Sequence, residues 1–515
     1  MTFPTKLSAA LLGSLVLFGG PYVNAAPVSA SSGSVADTDM SRGLRGLAAD
    51  DAARRLYEHT GYRRVWTSDA EAALIARLSN RRIHGLDHVD FGPIPQPDDD
   101  RLTREIKLSR IALAYASALA QGLVDPTSLH SIYTLPRPDI DVPEALANAL
   151  KEKRFAAWVD SLPPTDAEYL GLSQAYLDYQ RRAVEDVRAR LPADGVIRMG
   201  DTDPRIDAIA AQLIANDYVA AETFESSVSD VQALPTYTPA LEAAIKQVQR
   251  DYGIADDGVI GPDTFEVLNL RPADRARSLS VALERRRWTT RTRPETRIDV
   301  NIAAARLRYV RNGELVDERK VILGSPDRET PLLQSPMFRL VANPSWTIPK
   351  SIQNTELAYV GRDYLRRRNM VLRGGWIVQR PGPGNALGQV KFDMHNRHAI
   401  YLHDTANPGL FARSERYLSH GCVRVENALE FAELIAKDQN VLASWLDARN
   451  SGQERYVDLP QNIEVRLLYR NVFIDSAGEL TFRTDPYGWN EPIAVRLGFG
   501  DGPRKLRPMV DDLSP

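Results

Sequence analysis

The sequence has one cysteine in 515 residues, Cys422. It therefore forms no intramolecular disulfide and builds no cysteine-rich zinc or iron–sulfur site. Neither sign of charge is in excess: 64 Lys+Arg stand against 67 Asp+Glu, a formal net charge of −3. That balance excludes a broad basic face for nucleic acid. Long apolar runs are missing too. The run Leu7 to Phe18 falls short of the roughly 20 residues that a membrane span needs. The 32 Gly and 33 Pro show no period, which excludes a collagen-like chain. With 43% hydrophobic and 25% charged residues the chain is globular, not wholly disordered. At about 150 residues per domain its length predicts about three domains.

The N-terminus reads as an export signal. Lys6 precedes the apolar run, and Gly19, Gly20 and Pro21 break it. Val23-Asn24-Ala25 places small residues for cleavage after Ala25, so 1–25 is a signal peptide. An uncleaved anchor is the alternative, and only that form would touch a membrane. An unpaired cysteine outside the cytoplasm is open to oxidation, so its retention points to use as a nucleophile. A buried, inert cysteine is the alternative.

Residues 26–46 are small and polar and read as a linker. From 47 to 235 the pattern is helical: Ile106, Ile111, Leu113 and Leu119 fall in one run, Leu170, Tyr176, Leu177 and Val184 in a second, Ile206, Ile209, Leu213 and Ile214 in a third. Residues 236–292 form a small helical module. Leu241, Ile245 and Val248 make a stripe, Gly253 stops the helix, and Gly261-Pro262 starts the next. From 293 to 500 the period becomes two. Ile298, Val300 and Ile302 alternate, as do Ile463, Val465 and Leu467, and Asn312-Gly313 is a hairpin signal. Helices are expected at about 427–437 and 441–447. Residues 350–375, with Arg366-Arg367-Arg368, read as a loop or lid, and 501–515 as a tail. The arginines are a solvated face or an attraction for a carboxylate-bearing substrate. The fold class is multi-domain α+β.

The chemistry centres on "YLSHGCVRVEN" around Cys422, with His403 upstream in Tyr401-Leu402-His403-Asp404. A thiolate is the attacking species, and a histidine can take its proton and return it to a leaving amine. Gly421 lets the backbone approach a carbonyl closely. N–H groups around Gly421 and Cys422 could hold an oxyanion. A helix expected after Asn427 would place Cys422 ahead of a positive helix end.

Ser419-His420-Gly421-Cys422-Val423-Arg424, preceded by His403, resembles the signature of the L,D-transpeptidase family. The strings "LGSPDRETPLL", "NPSWTIPKSI" and "QRPGPGNALGQVKFDM" extend the likeness. The helical N-terminal region resembles the long periplasmic type of that family. The string "IKQVQRDYGIADDGVIGPDTFEVLN" resembles a small peptidoglycan-binding module, with Val248 where a larger residue is usual. The resemblance implies Cys422 as nucleophile and His403 as base, with the Asp404 main chain orienting the imidazole. It implies an oxyanion pocket from His420, Gly421 and Cys422. Tyr401, Ser419, Arg424, Trp346 and Trp376 would contact substrate. It implies a β-rich catalytic domain with a capping insertion, acting without cofactor. The substrates would be peptidoglycan tetrapeptide stems as donor and acceptor, in the periplasm, joined by 3→3 cross-links; wall-synthesis proteins are further candidate partners.

The residues leave other readings. His395, His398, His403 and His420 could bind a metal, but no HExxH or cysteine cluster supports one. A papain-like protease would place its cysteine well before its histidine, the reverse of the order here. A hydrolase of the same fold, using water as acceptor, and a wall-binding scaffold without turnover are the functional alternatives.

Overall fold

The computed structural model describes residues 32–216, 218–220, 234–355 and 357–500. The segment 1–25, read above as a signal peptide, and the tail 501–515 lie outside the described residues.

Six helices open the described chain: α1 (Ser32–Arg45), α2 (Ala52–His59), α3 (Ser68–Ser79), α4 (Arg101–Gln121), α5 (Val142–Lys151) and α6 (Phe155–Asp160). Asp51, Thr67, Asp100 and Asp141 cap helices α2 to α5, each accepting a first-turn N–H. The linker reading of 26–46 is corrected by α1. Small polar composition is overridden there because Leu44 is fully buried in the core that α2 to α6 share.

Five more helices follow: α7 (Ala167–Glu185), α8 (Ile206–Ala215), α9 (Pro239–Tyr252), α10 (Pro262–Leu268) and α11 (Pro272–Arg287). They enclose a second core. Helix α7 buries Tyr169, Leu172 and Tyr176, whereas Leu170 and Val184 of the expected stripe are exposed. Spacing of three and four residues selects the first set as one face; Leu170, Leu177 and Val184 lie on another. The core of the small module takes in α8, so no break falls at 235/236. Gly253 closes α9 in the left-handed conformation, φ 72°.

The third core belongs to a nine-stranded sheet. Its strands are β1 (Arg297–Asn301), β2 (Arg306–Arg311), β3 (Glu314–Gly324) and β4 (Leu333–Ala342), then, after a small separate sheet, β8 (Val390–Met394), β9 (Leu402–His403), β10 (Tyr417–Ser419), β11 (Val423–Val425) and β12 (Arg455–Leu468). The order is β10-β3-β11-β9-β8-β4-β12-β1-β2, and β2 also pairs with β3. That pairing closes the sheet on itself and covers the outer edge of β2, with β10 left as a short side strand on β3. The β2–β3 turn puts Asn312 at φ 51° and Gly313 at φ 85°, as a two-residue hairpin of this handedness requires. Helices α14 (Ala428–Asp438) and α15 (Leu442–Asn450) pack on the sheet through Phe431, Ile435 and Trp445.

The segment read as a loop or lid has regular structure. β5 (Trp346–Thr347), β6 (Met370–Arg373) and β7 (Trp376–Gln379) pair in the order β5-β7-β6, with α12 (Lys350–Thr355) and α13 (Arg362–Arg367) between β5 and β6. Trp346, Ile348, Ile352, Met370, Ile377 and Leu387 form its own small core. These residues straddle both ends of 350–375, which is why alternation inside that window was weak. The chain returns at its end to the helical cores. The hairpin β13 (Val472–Ile474) and β14 (Leu480–Phe482) packs against α7 and α9, and α16 (Asn490–Arg496) against α11. Among the described residues no helix is long and apolar enough to cross a membrane.

Candidate active site

Strands β9 and β11 run parallel, with Leu402 opposite Val423 and His403 opposite Arg424. Leu402 and Val423 are fully buried in the sheet core. Side chains alternate along a strand, so Tyr401, His403, Cys422 and Arg424 share the other face. The Val423 N–H donates to the Tyr401 carbonyl at 3.1 Å and locks this register. These four side chains line one cleft of about 480 Å³, together with Trp346, Ser419, His420 and Arg328. The volume suits a small organic ligand or part of a peptide. Helices do not supply the positive end expected next to Cys422. Strand β11 follows the cysteine directly and α14 begins only at Ala428. The apolar run after Asn427 marked the helix correctly, but the strand before it was too short to show alternation.

His403 is buried. Burial first, then the charge of Arg424, pushes its pKa down to about 3; Lys391 adds to this and the Asp404 backbone opposes it. The imidazole is therefore neutral at physiological pH and can accept a proton. Its Nδ1 makes no bond of hydrogen-bond geometry in this structure, so the Asp404 main chain acts on the ring without clamping it. The Asp404 carboxylate lies outside the cleft lining and accepts the Gln389 N–H at 2.8 Å.

Lys391 was missed in the sequence. Strand β8 pairs antiparallel with β9, placing Lys391 opposite His403. Its Nζ lies 4.5 Å from the centre of the Tyr401 ring and 2.6 Å from Asp393 Oδ1. Only strand pairing could have found it, because nothing in "QVKFDM" marks one lysine as facing a histidine.

The Cys422 thiol is half-buried, with Sγ 3.6 Å from the Ala399 carbonyl oxygen. Burial pushes its pKa up; hydrogen bonding from the Tyr401 backbone and hydroxyl, and the charges of Lys391 and Arg424, work against this without cancelling it. The Tyr401 ring stands edge-on to His403, centroids 5.6 Å apart. Burial thus favours a neutral thiol and a neutral imidazole in the resting cleft over a preformed ion pair. Alkylation of Cys422 by iodoacetamide is expected to climb about tenfold per pH unit past the ordinary thiol range. A plateau reached between pH 4 and 7 would mean a resting thiolate–imidazolium pair instead.

The loop before Cys422 is braced from beneath. Ser419 Oγ donates to the Cys422 carbonyl at 2.6 Å and accepts the Gly421 N–H at 3.2 Å. Gly421 sits at φ +106°, which side-chain-bearing residues rarely adopt. Its carbonyl accepts Thr330 Oγ1 at 3.0 Å, and Thr330 Oγ1 accepts the Gly324 N–H at 2.9 Å. Tyr487 Oη accepts the Thr330 N–H at 3.2 Å and donates to the Gly324 carbonyl at 2.7 Å. These bonds bear on two of the expected roles. The Gly421 N–H is engaged by Ser419, so Gly421 is not a free oxyanion donor here. Ser419 positions the cysteine loop, its hydroxyl being committed to backbone. Thr330→Val strips partners from two buried backbone groups and is expected to cost about 1–3 kcal/mol. Denaturant midpoints check this, and Thr330→Ser should restore most of the loss; an unchanged midpoint in the valine variant would remove Thr330 from the brace.

Trp346 lines the cleft, and Trp376 does not. The latter is 41% exposed on β7, with Lys350 Nζ 4.6 Å from its ring centre. Strand alternation turns it outward, away from Ile377. Among the other histidines, His398 joins the cleft wall while His395 stacks on Phe338 at 3.8 Å.

Three family models match the chain. Residues 295–442 match the "L,D-transpeptidase catalytic domain", 51–175 a "Scaffold domain", and 204–268 the "Putative peptidoglycan binding domain". A curated protein of Haemophilus influenzae, "Putative L,D-transpeptidase", is 31% identical over 224 residues, 38% of this chain. The match spans 45% of that relative's own length. Among solved structures, an L,D-transpeptidase from Stackebrandtia nassauensis is 14% identical at TM-score 0.22, covering 54% of this chain and 97% of its own. One from Mycobacterium smegmatis is 14% identical at TM-score 0.19, covering 34% of this chain and 58% of its own. The protein is a multi-domain α+β chain whose closed sheet is a catalytic domain beside a helical scaffold and a peptidoglycan-binding-type module. Over residues 295–442 it is similar to the L,D-transpeptidase family.

Proposed function

We propose that the chain is a peptidoglycan L,D-transpeptidase working through Cys422. The observation that carries the reading is one strand-pair face presenting Cys422, His403, Tyr401 and Arg424 to a single cleft. His403 takes the thiol proton as sulfur attacks the carbonyl of the diamino-acid residue of a tetrapeptide stem. The Cys422 N–H, with the His420 main chain, faces the developing oxyanion. The bond to D-Ala breaks, the imidazolium gives its proton to the leaving amine, and a thioester remains. The amine of a second stem then attacks the thioester and gives a proton to His403, the C–S bond breaks, and the sulfur of Cys422 takes that proton back as the 3→3 cross-link forms. Arg424 and Lys391 give the cleft positive charge suited to stem carboxylates. Export to the periplasm by the segment 1–25 would bring the chain to this substrate, and a carbapenem would acylate the same thiol. The helical module over 204–268 would hold the glycan or stem while the cleft works.

The deciding experiment is mass spectrometry of the full chain incubated with disaccharide-tetrapeptide. A dimer of mass equal to two substrates less one D-Ala is the expected product. Monomer that has only lost D-Ala would replace this reading with an L,D-carboxypeptidase. Sacculus binding with no change in substrate mass would replace it with a wall-binding scaffold.

A further inference from the structure

A second cavity, of about 50 Å³, opens where the helical cores meet the catalytic sheet. Its wall includes Arg285, Arg286, Arg293, Arg466, Arg470 and Tyr133. Guanidinium groups crowded in this way repel one another unless anions separate them. Carboxylates do so for four of them. Arg286 and Arg293 face Asp166 and Glu168, Arg470 faces Glu168, and Arg466 faces Asp299 at 2.6 Å. Asp299 is shared with Arg297 at 2.9 Å.

Among the described residues no carboxylate forms an ion pair with Arg285. It is 7% exposed, and its Nη1 donates to the side-chain oxygens of Asn471 at 3.0 Å and Asn490 at 2.6 Å. Its plane lies 4.9 Å from the centre of the Tyr469 ring. Asp485 acts on it electrostatically, but that carboxylate already accepts the Tyr469 hydroxyl and the N–H groups of Trp489 and Asn490. Among the described residues, Arg285 Nε and Nη2 find no hydrogen-bond partner, and both are buried. Arg286 Nε, Arg470 Nε and Tyr133 Oη are buried without one as well. The unmatched guanidinium atoms in the wall are all donors, so what the cavity lacks is an acceptor. A buried cation left unmatched is costly, and burial accordingly pushes the Arg285 pKa down. The volume admits one small ion or a few waters and is too small for a peptide.

We infer that this junction is an anion site that holds one halide-sized inorganic anion against Nε and Nη2 of Arg285. The anion ties α11, which carries Arg285 and Arg286, to the end of β12 and the residues after it, which carry Arg466 and Arg470. It would fix the catalytic sheet to the helical part of the molecule. A ligand that binds only the folded chain raises its unfolding midpoint.

The test is thermal unfolding of the full chain in sodium chloride or bromide against sodium gluconate at equal ionic strength, with Arg285→Met alongside. Halide is expected to raise the midpoint of the unaltered chain by about 2–4 °C relative to the variant's own response. Crystals grown in bromide should show one anomalous peak in hydrogen-bond reach of Arg285 Nε and Nη2. Equal midpoints in halide and gluconate, a halide gain that persists in Arg285→Met, or water alone in the bromide crystals would overturn the site. Should Arg285→Met fail to fold, the bromide crystals of the unaltered chain decide by themselves.

Discussion

Cys422→Ala is expected to abolish covalent acylation by a carbapenem and to lower tetrapeptide turnover by at least about 10⁴-fold, the order seen when a covalent nucleophile is removed. The thiol is the sole cysteine of the chain, so no second sulfur can substitute. Intact-mass spectrometry reads acylation directly, as a mass increase present in the parent and absent in the variant. The fold should be unharmed. Cys422 is only partly buried at the margin of the sheet core, and the backbone it anchors is held by Ser419, Gly421 and Thr330 rather than by sulfur. His403→Ala separates the roles. It keeps the nucleophile and removes the proton acceptor, so acylation should slow by about 10²–10⁴-fold without vanishing. A covalent adduct on Cys422→Ala would move the nucleophile elsewhere and with it the proposed reaction.

The grouping of side chains in this cleft was readable where it is local in the chain. His403 and Cys422 stand in Tyr401-Leu402-His403 and Cys422-Val423-Arg424, each a polar, apolar, polar triplet. Period two puts both outer members of a triplet on one face. What local pattern cannot state is that these two triplets are neighbours in parallel register. Nor can it state that β8 pairs antiparallel with β9 and so brings Lys391 to them, or that Trp376 belongs to a separate small sheet. The electrostatics were misjudged for the same reason. A helix end was expected to lower the cysteine pKa, but a strand intervenes, and the positive charge comes from side chains on β8 and β11.

Elements with strong periodicity were legible. β1, β12, α9 and α14 lie where alternation or apolar helical runs placed them. Segments whose partners lie far away in sequence were not. The lid gains its core from Trp346 and Leu387, outside the window that looked irregular. Helix α1 is fixed by burial of Leu44 in the core formed with α4, against its own polar composition. The charge run Glu284-Arg285-Arg286-Arg287 is the clearest case. By composition such a run belongs on a solvated face. In the structure Glu284 and Arg287 are fully buried.

That buried pair carries the largest expected effect on stability. Glu284 Oε1 accepts the Val124 N–H at 2.8 Å and Trp288 Nε1 at 3.0 Å, while Oε2 accepts Arg287 Nη2 at 2.7 Å. Arg287 Nη1 donates in turn to the His84 carbonyl at 2.8 Å and to Tyr169 Oη at 3.0 Å. One carboxylate and one guanidinium thus join the scaffold helices, α7 and α11. Burial works against the charge on Arg287, but Tyr169 and Glu284 outweigh it and hold its pKa above the ordinary value. Glu284→Leu would leave that charge buried and uncompensated, and is expected to cost about 3–5 kcal/mol. The double variant Glu284→Leu/Arg287→Met removes both charges and should recover much of the loss, because a matched apolar pair avoids the cost of desolvating either ion. Urea unfolding followed by tryptophan fluorescence reads both, since Trp288 sits on the pair. If the double variant is no more stable than Glu284→Leu, the cost lies in the lost hydrogen bonds to Val124 and Trp288 and not in the stranded charge. The same comparison separates the hub from the catalytic cleft: Glu284 contributes no side chain to the lining that holds Cys422, so acylation by a carbapenem should persist in any fraction of the variant that remains folded.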